Sequence, residues 1–289
     1  MEEIKVFSSI FQGFSLFETW GPLWLVLSII IGYLYHKYIM NSPEYEVGSN
    51  QIKFFYIGIS LLYVLHGSPF SIIADYYLFS VHMLQMSLTF FVVVPLLIIG
   101  LPFKLFKKYA WNYKLRTVFK VVGHPWISLV IFSMLFILYF VPSIFNSVHA
   151  SVMITLIYKV VLFIYAFFMW WAIINPVRRL NELGPLFRIA YVFLASLALM
   201  PTGFYLLLVL EVHYPIYQAA AGEIFPAITA IYDQQLAGGL LKMIQLPSFI
   251  IAMYKTVSSW GWREEDEGDA YNKNDRYVQG IVIRTDDKK

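Results

Sequence analysis

Residues 66–102 read HGSPFSIIADYYLFSVHMLQMSLTFFVVVPLLIIGLP. From Tyr76 onward the stretch carries no Asp, Glu, Lys or Arg, and Pro95 is its one interior break. A helix needs about 20 predominantly apolar residues to cross a bilayer, and this stretch supplies them. Its first part is different in kind, with His66, Asp75, His82, Met83, Gln85 and Met86 gathered at one end. Polar and ionisable groups near membrane depth are costly, which makes them functional candidates. The same residues also fit a helix cap followed by lipid-facing bulk, and both readings stand at this point.

The rest of the chain repeats the apolar half of that stretch. Of its 289 residues 59% are hydrophobic and 13% charged, with a mean hydropathy of +0.65, against about 25% charged in soluble domains. This implies an all-α, polytopic membrane helix bundle with short loops. Seven spans are expected, near 20–38, 54–65, 76–99, 126–141, 152–174, 187–210 and 235–257, the second being the shortest. Continuous apolar runs exclude the alternating pattern of a membrane β-barrel. The N-terminus, MEEIKVFSSIFQGFSLFETW, lacks the basic start of a cleaved signal peptide, so the whole chain is expected to remain.

Lys and Arg accumulate in cytoplasmic loops. The loop after the third span holds Lys104, Lys107, Lys108, Lys114, Arg116 and Lys120, and that after the fifth holds Arg178, Arg179 and Arg188. Lys37 and Lys53 follow the first span, and the alternate loops have neither residue type. Seven spans then place the N-terminus outside and the C-terminus in the cytoplasm, in a multi-pass protein of the plasma membrane. Residues 1–257 form the transmembrane domain. Residues 258–289, including GWREEDEGDAYNKNDRY, are too polar to bury a core and are expected to be a disordered cytoplasmic tail.

Topology gathers the candidate ligands at the outer face. With no cysteine, a metal would need His, Met, Asp or Glu. His82 and Met86 share a helix face, and imidazole with thioether suits Cu(I); Met also fills apolar cores. His66 precedes a turn and can face His82 across an antiparallel helix pair. A cluster of two His, one Met and one Asp is therefore possible. Asp75 equally reads as a cap of the following helix. Asp233 opens the last span, where the helix dipole favours an acid, and Gln234 and Gln235 can bond between helices. Lys159 and Lys242, inside spans, either pair with an acid, with Asp233 a partner for either, or snorkel. His124 reads as structural, and His149 and His213 as solvated loop residues.

No nucleophile elbow, phosphate loop, zinc-protease helix or dinucleotide fingerprint occurs. No enzymatic activity is expected. No nucleic-acid patch is present either; topology and anionic lipid account for the lysines.

Several segments resemble one family. HMLQ at 82–85 with the Pro-interrupted run ending LIIGLP at 97–102, HPW at 124–126, VPSIFN at 141–146, FMWWAIINP at 168–176, and DQQLAG at 233–238 followed by Lys242 and Gln245 are similar, in that order, to the CtaG family of Bacillus-type cytochrome c oxidase assembly factors. The resemblance implies a chaperone-like membrane protein that matures a haem–copper oxidase through copper delivery or subunit maturation at the outer face. Copper is the implied cofactor. The implied partners are oxidase subunits and the lipid bilayer, with a second copy of the chain a further candidate. His66, His82 and Met86 are then the metal candidates, supported by Asp75, Asp233, Gln234 and Lys159. The resemblance also places histidines where this chain has Met86, Phe140, Thr155 and Lys159, so the chain reads as a divergent paralogue with an altered metal site. A metal-free scaffold, in which pairing of Lys159 with an acid replaces the metal, and a small-solute or proton transporter are the alternatives.

Overall fold

A computed structural model describes residues 13–102, 104–105, 117, 123–174, 183–270, 275–278 and 281–284; side chains are described as far as Ser258, except that of Pro185. The basic residues between 106 and 116, Lys120, Arg178 and Arg179 lie outside the described residues.

The body is all-helical. Helix α1 is Leu16–Met40, α2 is Ser49–Gly67, α3 is Pro69–Tyr77, α4 is Phe79–Gly100, α5 is Pro125–Tyr139, α6 is Pro142–His149, α7 is Val152–Ile174, α8 is Leu186–Leu208, α9 is Pro215–Ala219 and α10 is Ala230–Ala270. Among the described residues, five helices are long and apolar enough to cross a membrane, and the number rises to seven if α2–α3 and α5–α6 each count as one bent span. Both bends occur before a proline, where the preceding residue is pushed out of the helical region. Ser68 and Val141 are extended, and the axes turn by 50° and 82°. The segment 142–149, expected to be a loop, instead folds back as α6. The tail after Val257 continues α10 as helix to Ala270, and Asp275–Val278 (β1) pairs antiparallel with Ile281–Arg284 (β2).

Helix α4 is the centre of the bundle, with 61% of its span enclosed against 6% for α1. Its approach to α2 is close enough to demand glycine: a Cβ on Gly100 would lie 2.7 Å from the Phe55 backbone nitrogen. Tyr35 donates to the Gly100 carbonyl at 2.9 Å and ties α1 to the same corner.

Three helix interruptions leave carbonyls without their usual donors, and each is repaired from a distant element. Pro95 has no N–H to give. One turn earlier α4 widens to a π turn in which the Val94 N–H reaches Thr89. The Phe90 carbonyl passed over is taken by the Trp170 indole of α7 at 2.8 Å. Likewise α3 ends in a π turn, closed by the Leu78 N–H on Ile73, and the Ala74 carbonyl accepts from Tyr217 of α9 at 2.8 Å. In α8, broken at Leu199 ahead of Pro201, the Leu199 carbonyl accepts from Lys242 at 3.0 Å and that of Ser196 from Gln245 at 2.9 Å. Lys242 also donates to Gln245 at 2.8 Å. Neither an acid nor snorkelling explains Lys242; it is a helix-repair group on α10.

Candidate functional site

The ends of α3, α5 and α6 and the starts of α4, α7 and α10 meet at one end of the bundle. The π turn at the end of α3 carries Asp75, and single π turns recur at functional sites. Asp75 is not the cap of α4. That role belongs to Asp233, whose carboxylate oxygens accept from the Phe79 and Ser80 N–H groups at 2.6 and 3.1 Å across the α4–α10 interface. Helix α4 has no capping side chain of its own. Asp233 therefore pairs with neither Lys159 nor Lys242. Gln234 accepts from the His213 N–H at 2.9 Å and donates to the Glu211 carbonyl at 3.0 Å, and Gln235 donates to the Val209 carbonyl at 3.0 Å. These glutamines hold the 209–213 loop.

His82 is fully buried, 0% exposed, one turn into α4. Its Nε2 lies 3.1 Å from the Tyr139 hydroxyl, and its Nδ1 lies 3.5 Å from Asp75 Oδ1 with no hydrogen bond made. Lys159 of α7 donates to the same Oδ1 at 3.1 Å. His149 completes the group. Its ring lies 5.3 Å from that of His82, centre to centre, and stacks on Phe145 at 3.9 Å. Asp75, His82 and His149 each offer a ligand atom within 4.8 Å of the others.

The tautomer of His149 follows from its surroundings. Nδ1 lies 3.1 Å from the Phe145 carbonyl. A carbonyl only accepts, so Nδ1 carries the proton, and Nε2 is a bare lone pair, buried with no hydrogen-bond partner. His82 reaches the matching state when Nε2–H donates to Tyr139, leaving Nδ1 as the lone pair. A metal-bound histidine fixed through its other ring nitrogen has this arrangement. Two imidazole nitrogens and a carboxylate oxygen form a donor set that suits copper or zinc. The residues thus fit a metal ion, with one obstacle: the Lys159 ammonium already neutralises Asp75.

The other expected ligands are engaged elsewhere. His66 bonds Thr89 at 3.0 Å and stacks on Trp24 at 5.1 Å. Met86, 0% exposed, packs in the apolar core one turn further along α4 than His82. His149 is the residue sequence reasoning missed. It reads as a solvated loop residue because nothing in VPSIFNSVH shows that the segment folds back over His82. The positions where the resemblance implies histidine surround this group. The Phe140 ring lies 6.5 Å from that of His82, Lys159 holds Asp75, and Thr155 donates to the Val148 carbonyl at 2.9 Å, beside His149.

Comparison with known families agrees. A family model described as cytochrome c oxidase caa3 assembly factor (Caa3_CtaG) matches residues 31–263, most of the chain. No curated protein and no solved structure gave a match.

Proposed function

We propose, because the chain belongs to the cytochrome c oxidase caa3 assembly factor family, that it assists maturation of a haem–copper oxidase by holding copper at the His82–His149–Asp75 group. The observation that carries this reading is the convergence of Asp75, His82 and His149, whose ligand atoms lie within 4.8 Å of one another, with Nε2 of His149 buried and without a hydrogen-bond partner. An unpartnered buried polar atom is uncommon and calls for an explanation. A cation held between His149, His82 and Asp75 would give the His149 nitrogen its partner. Copper would be held by the two ring nitrogens with Asp75 as third donor, and Tyr139 and the Phe145 carbonyl would fix the rings.

The loop charges support a plasma-membrane orientation with the N-terminus and the metal group outside, the C-terminus in the cytoplasm, and oxidase subunits as partners at the outer face. A single cysteine introduced at position 110 is expected to be labelled only from the inside; labelling from outside overturns the orientation.

Purified in detergent after loading with Cu(I), the protein is expected to retain about one copper per chain, and the double variant His82→Ala/His149→Ala none. Equal retention by parent and double variant would sink the copper assignment. A second reading is favoured by the Lys159–Asp75 ion pair, in which the ammonium is the resident cation and the bundle serves oxidase assembly as a metal-free scaffold. It predicts that the double variant supports oxidase activity as well as the parent.

A further inference from the structure

The connection from α8 to α10 touches both sides of the group formed by Asp75, His82 and His149. Its first part, the 209–213 loop, is held to α10 by Gln234 and Gln235. It then enters α9, where Tyr214 and Tyr217 are both buried. Their hydroxyls go to two different elements. Tyr214 donates to the Phe140 carbonyl at 2.6 Å, at the corner where α5 gives way to α6. Tyr217 donates to the Ala74 carbonyl at 2.8 Å, inside the π turn that carries Asp75. Both rings pack on Phe79, at 4.1 and 5.3 Å between centres, and the Tyr217 ring lies 6.3 Å from that of His82. One short stretch thus ties α6, which ends at His149, to α3, and seats the tie against the start of α4.

We infer that Tyr214 and Tyr217 are positioning residues for the metal group: together they set the separation between Asp75 and His149. The inference rests on the copper reading for its purpose, though not for its geometry. Each side has one other tie, and both come from α7. Lys159 donates to Asp75, and Thr155 donates to the Val148 carbonyl next to His149. The lysine tie is the softer one, because its ammonium ends a flexible four-carbon stem. A tyrosine hydroxyl sits on a rigid ring with only two side-chain torsions. A cation arriving at the group also repels the Lys159 ammonium. With copper present, the Tyr217 bond is the tie that still holds the Asp75 turn.

The test uses the full chain in detergent. Tyr214→Phe and Tyr217→Phe each remove one hydroxyl and keep the ring. Each is expected to lower Cu(I) affinity about tenfold, the effect of losing one buried hydrogen bond, and each is expected to lose a different ligand. X-ray absorption, in which imidazole scattering separates histidine from carboxylate, should count one imidazole fewer in Tyr214→Phe. In Tyr217→Phe it should count both imidazoles but no third donor. A merely structural role would lower the melting temperature and leave the ligand set intact. The geometry is read separately. The chain has no cysteine, so spin labels on Tyr76→Cys and Ser147→Cys, both at exposed positions, mark α3 and α6 alone. Dipolar paramagnetic resonance is expected to show a broader label distance in both phenylalanine variants than in the parent. An unchanged ligand set in both variants overturns the inference, and so do parent-like label distances. A parent that takes up no copper overturns the copper reading instead, and broadened distances then support the tyrosine tie on their own.

Discussion

Replacing Lys159 by histidine is expected to raise copper affinity at least about tenfold. The ammonium lies 3.1 Å from Asp75 Oδ1, so an incoming cation must sit within a few ångström of it. Two unit charges about 4 Å apart repel by about 4 kcal/mol at an effective dielectric constant near 20. Relief of even a third of that is tenfold in binding. The new imidazole adds a nitrogen donor where the family resemblance implies one. Lys159→Met separates the two contributions, because it removes the charge and adds no ligand. It also strips Asp75 of its partner. The Asp75 side chain is 35% exposed, so this costs about 1 kcal/mol, closer to a surface pair than to the 3–5 kcal/mol of a fully buried one. Copper titration and thermal melting of both variants decide the matter. If neither variant binds copper more tightly than the parent while oxidase assembly persists, the ammonium is the working cation and the metal-free scaffold is correct.

The reach of the sequence depended on the range of the interaction. Apolar runs and X–Pro steps are local, and they locate the long apolar helices, the end of α2 before Pro69 and the end of α5 before Pro142, while the short helix α3, read as a loop, is not legible in them. The clustering of His82 and Asp75 at one end follows from counting spans. What stayed hidden needs contacts across the bundle. His149 looks like a loop residue until α6 turns by 82° and lays it against Phe145 and His82. Asp75 looks like a cap because it precedes a helix, but the π turn aims it at Lys159 and leaves the cap to a residue more than 150 positions away. Family membership rests on a match along most of the chain, which does not depend on resolving any of these pairings.

Loss of the Asp233 carboxylate should have the largest effect on stability and should remove the metal group with it. Asp233 is 3% exposed and accepts the first two N–H groups of α4 at 2.6 and 3.1 Å. No side chain of α4 can replace it, since Leu78 occupies the cap position. Asp233→Ala therefore orphans two buried donors. At about 1–3 kcal/mol for each, the expected loss is about 2–6 kcal/mol, well above the few tenths typical of a surface substitution. Asp233→Asn keeps one oxygen and is expected to lose about half as much. The consequence for function follows from position. His82 lies one turn beyond the capped residues, and the Asp233 bonds anchor that turn to α10 while Asp75 and His149 are held by α3 and α6. Freeing the turn separates His82 from its two partners, so Asp233→Ala should lose copper even where it stays folded. Ser80→Ala removes the hydroxyl beside Asp233 but keeps the backbone N–H, so it should cost only about 1 kcal/mol and retain copper. Melting curves and copper content measured on the same detergent preparations test the linkage. A stable Asp233→Ala protein with full copper would show that α4 is positioned by its apolar packing alone.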